Sequence, residues 1–352
     1  MLEIHCKRDG IPSCKRQKFW FMGTLVVGCV WLLLTACGAV PGIGFKENQV
    51  LKTGNHYATK EQACILLSGL RKKYESMFGN EAWTKKFGDS TLEQYIQEQV
   101  KTQLVQLSSM NLMAEERNIT LDTKEKRRAE KAAKEFSGRF TKDQMKKIGF
   151  DKVDVENLYQ QYALAEKVYH TVTEDVDAEI SDDQARMIDV QVILLKTVSG
   201  DDGQELSQEE RNTINLRAYQ IWEKANAGES FEALASQYNE GSQLEYHIGR
   251  GEMDSAFDEA AFNLASGQIS GLVEGEDGLY IIKCISNYNQ AETDANKVRI
   301  YEEQCAERFN QEYDKFMKNT EVKLNDQAWK EVKLAKVELP EADFVQIYKN
   351  TE

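Results

Sequence analysis

Of the side chains in this sequence whose surroundings prescribe a reaction, the thiol of Cys37 has the most definite setting. It follows Leu34-Thr35-Ala36 and precedes Gly38. A small residue before a cysteine admits a peptidase, and only a thiol can take up a lipid through a thioether. The chemistry to expect is cleavage before Cys37 and attachment of a lipid to its sulfur through a thioether. Other reactive groups are sparse. His56, His170 and His247 stand far apart, and there is no HExxH, no CxxC and no phosphate loop. No metal site is predicted. Beyond Cys37 the remaining thiols are Cys64, Cys284 and Cys305, too few for a disulfide framework. A single Cys64–Cys305 bridge is conceivable, since both lie on predicted helices; the alternative is that they are small apolar residues inside a core.

The residues before Cys37 are arranged to deliver it to a membrane. Lys15, Arg16 and Lys18 precede an apolar run over 19–34, the order of a secretory signal. With the cysteine at the cut, the segment resembles a bacterial lipoprotein signal. Diacylglycerol would bring two acyl chains, each buried CH₂ contributing about 0.8 kcal/mol. The alternative is an uncleaved membrane helix, for which this run, containing Gly23, Thr24 and Gly28, is short against the roughly 20 residues a span needs. Residues 1–36 therefore read as a lipoprotein signal peptide with an N-terminal extension. The mixed polar segment over 1–13 fits that signal poorly and leaves the true start open. The expected location is the extracytoplasmic face of the bacterial cell membrane, with the protein lipid-anchored.

Removing residues 1–36 takes away five basic and two acidic residues and moves the formal charge from −14 to −17. Nucleic acid is excluded as a partner, because neutralising phosphates needs clustered Lys and Arg. The same charge keeps the body of the protein off an anionic lipid surface.

Three zones must position whatever the chain uses. Residues 37–58 read as a tether behind the lipid. Residues 59–185 are dominated by helical periodicity. Thr59 with Gln62 forms a predicted capping box, opening a helix with Ala63, Leu67, Leu70, Tyr74 and Met77 on one face and Gly79 at its end. Thr91 precedes a long helix striped by Leu92, Ile96, Val100, Leu104 and Leu107. A charged helix over 124–137 and another carrying Val155, Leu158, Tyr162, Ala165 and Tyr169 follow. The pattern then changes. Val190-Gln191-Val192-Ile193-Leu194-Leu195 is β-branched and apolar, a buried strand. Helices are predicted over 209–227, 231–237 and 255–264. Closing strands are predicted at Leu272-Val273 and over 279–285, separated by the turn Gly275-Glu276-Asp277-Gly278. The last zone returns to helix with Val298, Tyr301, Cys305, Phe309, Tyr313 and Phe316 on one stripe. The fold class is thus α+β: a helical domain built from N- and C-terminal segments (59–185 and 289–352, the latter a helix and a tail), interrupted by an α+β domain over 186–288.

Four segments of that insert resemble the parvulin-type peptidyl-prolyl isomerases. Gly228-Glu229-Ser230-Phe231-Glu232-Ala233-Leu234-Ala235-Ser236-Gln237-Tyr238 is similar to the family's G-x-x-F-x-x-L-A-x-x-Y. Gly249-Arg250-Gly251-Glu252-Met253 followed by Phe257-Asp258-Glu259-Ala260-Ala261-Phe262 resembles its G-[KR]-G-[EQ]-M-x-x-x-F-[ED]-x-A-x-F. Gly267-Gln268-Ile269-Ser270-Gly271-Leu272-Val273 and Gly278-Leu279-Tyr280-Ile281-Ile282-Lys283 resemble its last two motifs. With the lipidated start and the flanking helices, the chain resembles the PrsA-type foldase lipoproteins, relatives of the SurA chaperone. The resemblance implies a foldase that binds unfolded or newly secreted polypeptides and lets an X-Pro bond rotate over a barrier of about 18–20 kcal/mol. It implies no cofactor. Met253 and Phe257 match the apolar pocket for prolyl-peptide binding; both being ordinary core is the alternative. Phe262 reads as core.

The departures from the family matter as much. Its first-strand histidine is replaced by Val192, its second histidine by Tyr280, and its Asp or Cys after L-A-x-x-Y by Gly241. Val and Gly can make no side-chain hydrogen bond, so three members of a polar network are missing together. His247, in a rewritten loop over 241–248, is a local replacement or a solvated residue. The expectation is a membrane-anchored chaperone whose isomerase module acts mainly by binding; the alternative is an active isomerase working through pocket shape alone. A solute-binding lipoprotein would need repeated strand–helix–strand units, and the helical first zone has none. Clients and oligomeric state are not legible in the residues.

Overall fold

The computed structural model describes residues 44–351 apart from 80, 82, 84, 88, 89, 200–203 and 334–336. Residues 1–36 and the expected lipid site Cys37 lie outside the described residues. The chain divides into two compact units: one holds the residues up to Asp175 and those from Ala306 onward, the other Val176–Cys305.

In the first unit the helices start where their side chains can cap them. Lys60–Phe78 opens with the capping box Thr59/Gln62, and Leu92–Glu116 with a second at Thr91/Gln94. The stripes of Leu92–Glu116 and Lys152–Thr173 are buried as their spacing predicts, and Thr123–Gly138 adds Ala129, Ala132, Ala133 and Phe136 to the core. On Lys60–Phe78 only the first half is buried, and Met77, expected on the apolar face, is 54% exposed. A short helix, Lys142–Ile148, lies between the third and fourth predicted helices and was not legible as an amphipathic stripe.

Two expectations for this unit need correction. The tether over 37–58 ends earlier, because Gln49–Thr53 and His56–Thr59 pair as an antiparallel hairpin. Val322–Leu324 lies on the other side of the first strand, and Val50 and Leu51 are buried. The turn is the two-residue Gly54-Asn55. Gly54 takes φ +57°, and a Cβ there would sit 2.5 Å from Leu112 Cδ2, so only glycine fits both the backbone and the neighbour. The second correction concerns the C-terminal tail. Phe344–Asn350 is a helix whose Phe344, Ile347 and Tyr348 are buried. Tyr159 stacks on Phe344 with centroids 3.9 Å apart and donates its hydroxyl to the Phe344 carbonyl at 2.9 Å. Arg128 lies over the Tyr348 ring and donates to the Thr351 carbonyl at 2.8 Å. These contacts make the tail part of the core.

The second unit is built on a four-stranded antiparallel sheet in the order Glu245–Gly249, Met187–Lys196, Gly278–Ser286, Val273–Glu274. Side chains alternate between its faces. Ile188, Val190, Val192 and Leu194 join Tyr280, Ile282 and Cys284 on one face, under the helix Ser255–Phe262. Ile193, Leu195, Leu279 and Ile281 pack on the other face with the helices Gln208–Asn226 and Phe231–Tyr238. Glu245–Gly249, read as part of a rewritten loop, is a strand. The unit also extends beyond 186–288. Thr293 Oγ1 accepts from the Met187 N–H at 3.1 Å and Asn296 donates to the Ala185 carbonyl at 3.0 Å, which binds the start of the helix Gln290–Met317 to the sheet. Cys64, Cys284 and Cys305 are buried and outside any disulfide, so the conceivable Cys64–Cys305 bridge is not formed; burial pushes the Cys64 thiol up to about 11.

Candidate functional site

Pairing in the central strands decides which residues meet. Leu194 stands directly across from Tyr280, and Val192 from Ile282. Val192 and Tyr280 are therefore diagonal neighbours on one face. Gly241 lies beside Leu194, its Cβ position 3.6 Å from Leu194 Cδ2. The structure thus gathers Val192, Gly241 and Tyr280 around Leu194 at one end of the sheet.

Asn239 holds Gly241 there. Its Oδ1 accepts from the backbone N–H of Leu194 at 2.9 Å and of Gly241 at 3.2 Å. Its Nδ2 donates to the carbonyls of Gly241 at 3.1 Å and Gln243 at 2.9 Å. One amide saturates its bonding capacity by stitching the loop to the strand edge.

Phe257 comes to the same face from the helix Ser255–Phe262, and Met253 from the residue before its cap. Met253 lies outside the helix, before the cap. Asp254 caps it, its Oδ1 accepting from the Ala256 and Phe257 N–H groups at 3.1 and 3.0 Å. Phe257 is 0% exposed, while Met253 packs on the cluster partly buried, as Tyr246 and Val273 do. Phe262 is buried, as expected for core.

Tyr280 fills the middle of this surface. It is 3% exposed, and its ring stands edge-on to Phe257, centroids 5.1 Å apart at 84°. Its hydroxyl donates to Asp277 Oδ2 at 3.3 Å. Burial first, then the carboxylates of Asp277 and Asp254, push the phenol well above its ordinary range, so it stays protonated. Burial and Asp277 raise the Tyr246 phenol as well. Val192 is 1% exposed and offers no polar atom.

His247 lies elsewhere. It pairs across the strands with Asp189, on the face opposite Val190 and Tyr246. Its exposed ring holds Nδ1 2.7 Å from Asp189 Oδ1, a hydrogen bond that raises the imidazole above its usual value. It is an ion-pair partner at the surface and does not reach the Tyr280 cluster.

The arrangement is an apolar cluster with the phenols of Tyr280 and Tyr246 and the carboxylates of Asp254 and Asp277 at its edge. Among the described residues it holds no imidazole, and its thiol, Cys284, is buried. Among the described residues, no group of His, Cys, Asp and Glu could hold a metal ion. Rotation about an X-Pro bond transfers no proton, so an apolar seat and hydrogen bonds to the twisted amide are the chemical requirements. In the residue pattern Leu194 reads only as part of a strand and Gly275 and Asp277 only as part of a turn, none of them as site residues. Asn239 and Asp254 do not stand out, though Asp254 carries a local signal, an N-cap position before an apolar helix.

The sequence over 193–286 matches the family described as the Rotamase, PPIC-type PPIASE domain. Foldase protein PrsA 3 of Bacillus anthracis is 25% identical over 331 residues, 90% of this chain and 96% of the relative. Peptidyl-prolyl cis-trans isomerase ESS1 of Saccharomyces cerevisiae is 45% identical over 60 residues, 15% of this chain and 35% of the relative. A crystal structure of peptidylprolyl isomerase (PrsA) from Bacillus anthracis aligns with a TM-score of 0.34 at 19% identity, over 62% of this chain and 95% of that one. The chain carries a parvulin-type peptidyl-prolyl isomerase domain and is homologous to the PrsA foldase proteins.

Proposed function

We propose that this chain is a foldase of the PrsA type, held by lipid on Cys37 at the extracytoplasmic face of a bacterial membrane. It assists newly secreted polypeptides, and its isomerase module acts mainly by gripping X-Pro segments against Met253 and Phe257. The observation that carries this reading is the face around Leu194. Val192, Gly241 and Tyr280 meet there without an imidazole, thiol or free carboxylate among them, while the apolar residues expected to hold a proline ring stand beside them. A surface of this kind keeps binding and loses the polar contacts that would favour the twisted amide over the planar one. The helical unit supplies a second surface for extended chain in this reading.

The test uses the chain from residue 37 onward with Cys37→Ser. X-Pro exchange in a short peptide is followed by NMR, and suppression of aggregation is followed on a chemically denatured client. The expected outcome is clear suppression of aggregation with little acceleration of exchange. Fast exchange that is abolished by Met253→Ala, with aggregation suppression unaltered, would show a working isomerase and overturn the binding role.

A further inference from the structure

The pocket that would receive a proline ring is already occupied. Phe257, its floor, is 0% exposed, and the ring set edge-on against it is that of Tyr280. Tyr280 is held from three directions. Beside it on the same face, Leu194 is its partner across the strands. At its tip, Asp277 accepts the hydroxyl at 3.3 Å. Along its edge runs the backbone of Gly275, where a Cβ would lie 2.7 Å from Tyr280 Cε2 and 2.5 Å from Asp254 Oδ2. Gly275 closes its own turn by donating to the Gly278 carbonyl at 2.9 Å. The hairpin carrying Gly275 and Asp277 and the cap of the helix carrying Phe257 therefore meet across one tyrosine.

From this geometry we infer that Tyr280 is an internal gate of the prolyl pocket. This inference rests on the reading that Met253 and Phe257 form that pocket. A tyrosine ring and a proline ring make the same kind of apolar contact with Phe257, so they compete for one place. The tyrosine is covalently present and gains a hydrogen bond to Asp277, and a peptide must displace it. The turn at 275–278 must lift for the ring to leave, since nothing larger than glycine fits between the ring and Asp254. Tyr280 thus sets a threshold, admitting X-Pro segments only when the rest of the client contributes enough binding to open the gate.

The experiment measures binding of a proline-containing tetrapeptide, and of the same peptide with alanine for proline, to the full chain from residue 37 carrying Cys37→Ser. Tyr280→Ala, Tyr280→Phe and Gly275→Ala are compared with it, with folding checked by circular dichroism. Tyr280→Ala should bind the proline peptide about tenfold more tightly, the factor that about 1.4 kcal/mol represents, with no gain for the alanine peptide. Tyr280→Phe keeps the ring and loses only the bond to Asp277, so its gain should be under about threefold. Gly275→Ala, which crowds the ring without hollowing the core, should also tighten proline binding, and it keeps the test decisive if Tyr280→Ala does not fold. If the unmodified chain already binds the proline peptide as tightly as the folded variants, the pocket stands and the gate is wrong. Should no protein distinguish the two peptides, the pocket reading fails and the gate fails with it.

Discussion

At Tyr280, a phenol stands where the resembled motif has a histidine, and its hydroxyl finds its partner in the Asp277 turn. Single residues also carry the pH response of this unit. Glu302, on the helix Gln290–Met317, has Oε2 buried without a hydrogen-bond partner. Burial first, with the charge of Glu303, pushes its carboxyl up to about 7. A carboxyl whose folded value lies above its unfolded one makes the fold less stable as pH rises between the two, and the full cost is present above about 7. Glu302→Gln should therefore stabilise the protein by about 1–2 kcal/mol at pH 8, with the gain fading toward pH 4. Thermal melts at both pH values check this; an equal gain at each would mean that ionisation of Glu302 is not the cause.

At the scale of elements, the helix Phe344–Asn350 does more than its seven residues suggest. Its aromatic face completes a cluster in which Phe136, Tyr159 and Tyr162 all touch Phe344, and Tyr348 touches Tyr159 and Tyr162. Phe344→Ala should cost about 3–5 kcal/mol, the range for removing a buried aromatic side chain. The loss should appear as faster amide exchange in Lys152–Thr173 and Thr123–Gly138, with protection in Met187–Lys196 kept. Loss of protection in the sheet alone would contradict the placement of this helix in the first unit. By contrast, the hairpin Gln49–Thr53 and His56–Thr59 depends on the Gly54 turn and on Leu112, a contact formed only once the long helix is in place.

For the whole molecule, charge and anchoring act together. The formal charge of −17 left once residues 1–36 are removed belongs to a chain that, in our proposal, is carried on a membrane by Cys37. Among the described residues no helix is long and apolar enough to cross a membrane. Replacing Cys37 with Ser should move the protein from the membrane pellet to the soluble fraction. Retention in the pellet would mean that the apolar run over 19–34 anchors the chain without the lipid. The two units have separate cores: a helical one completed by the C-terminal segment, and a sheet whose two faces are each covered by helices.

The sequence by itself determined what depends on short-range spacing. Thr59 with Gln62 caps a helix, Leu92 to Leu107 make a buried stripe, Val190 to Leu195 form a strand, and four motifs in register specify the parvulin-type domain. These are legible because the 3.6 and 2.0 periodicities and the caps are local properties of the chain. Tertiary structure decided what depends on partners far along the chain. The tail Phe344–Asn350 looks unremarkable until Tyr159 stacks on it, and Glu245–Gly249 becomes a strand because Met187–Lys196 offers it an edge. Whether Phe257 is an open pocket or a covered floor was likewise undecidable from spacing. An apolar side chain reads the same in either state, and the answer lies in how close Gly275 lets a hairpin approach Tyr280.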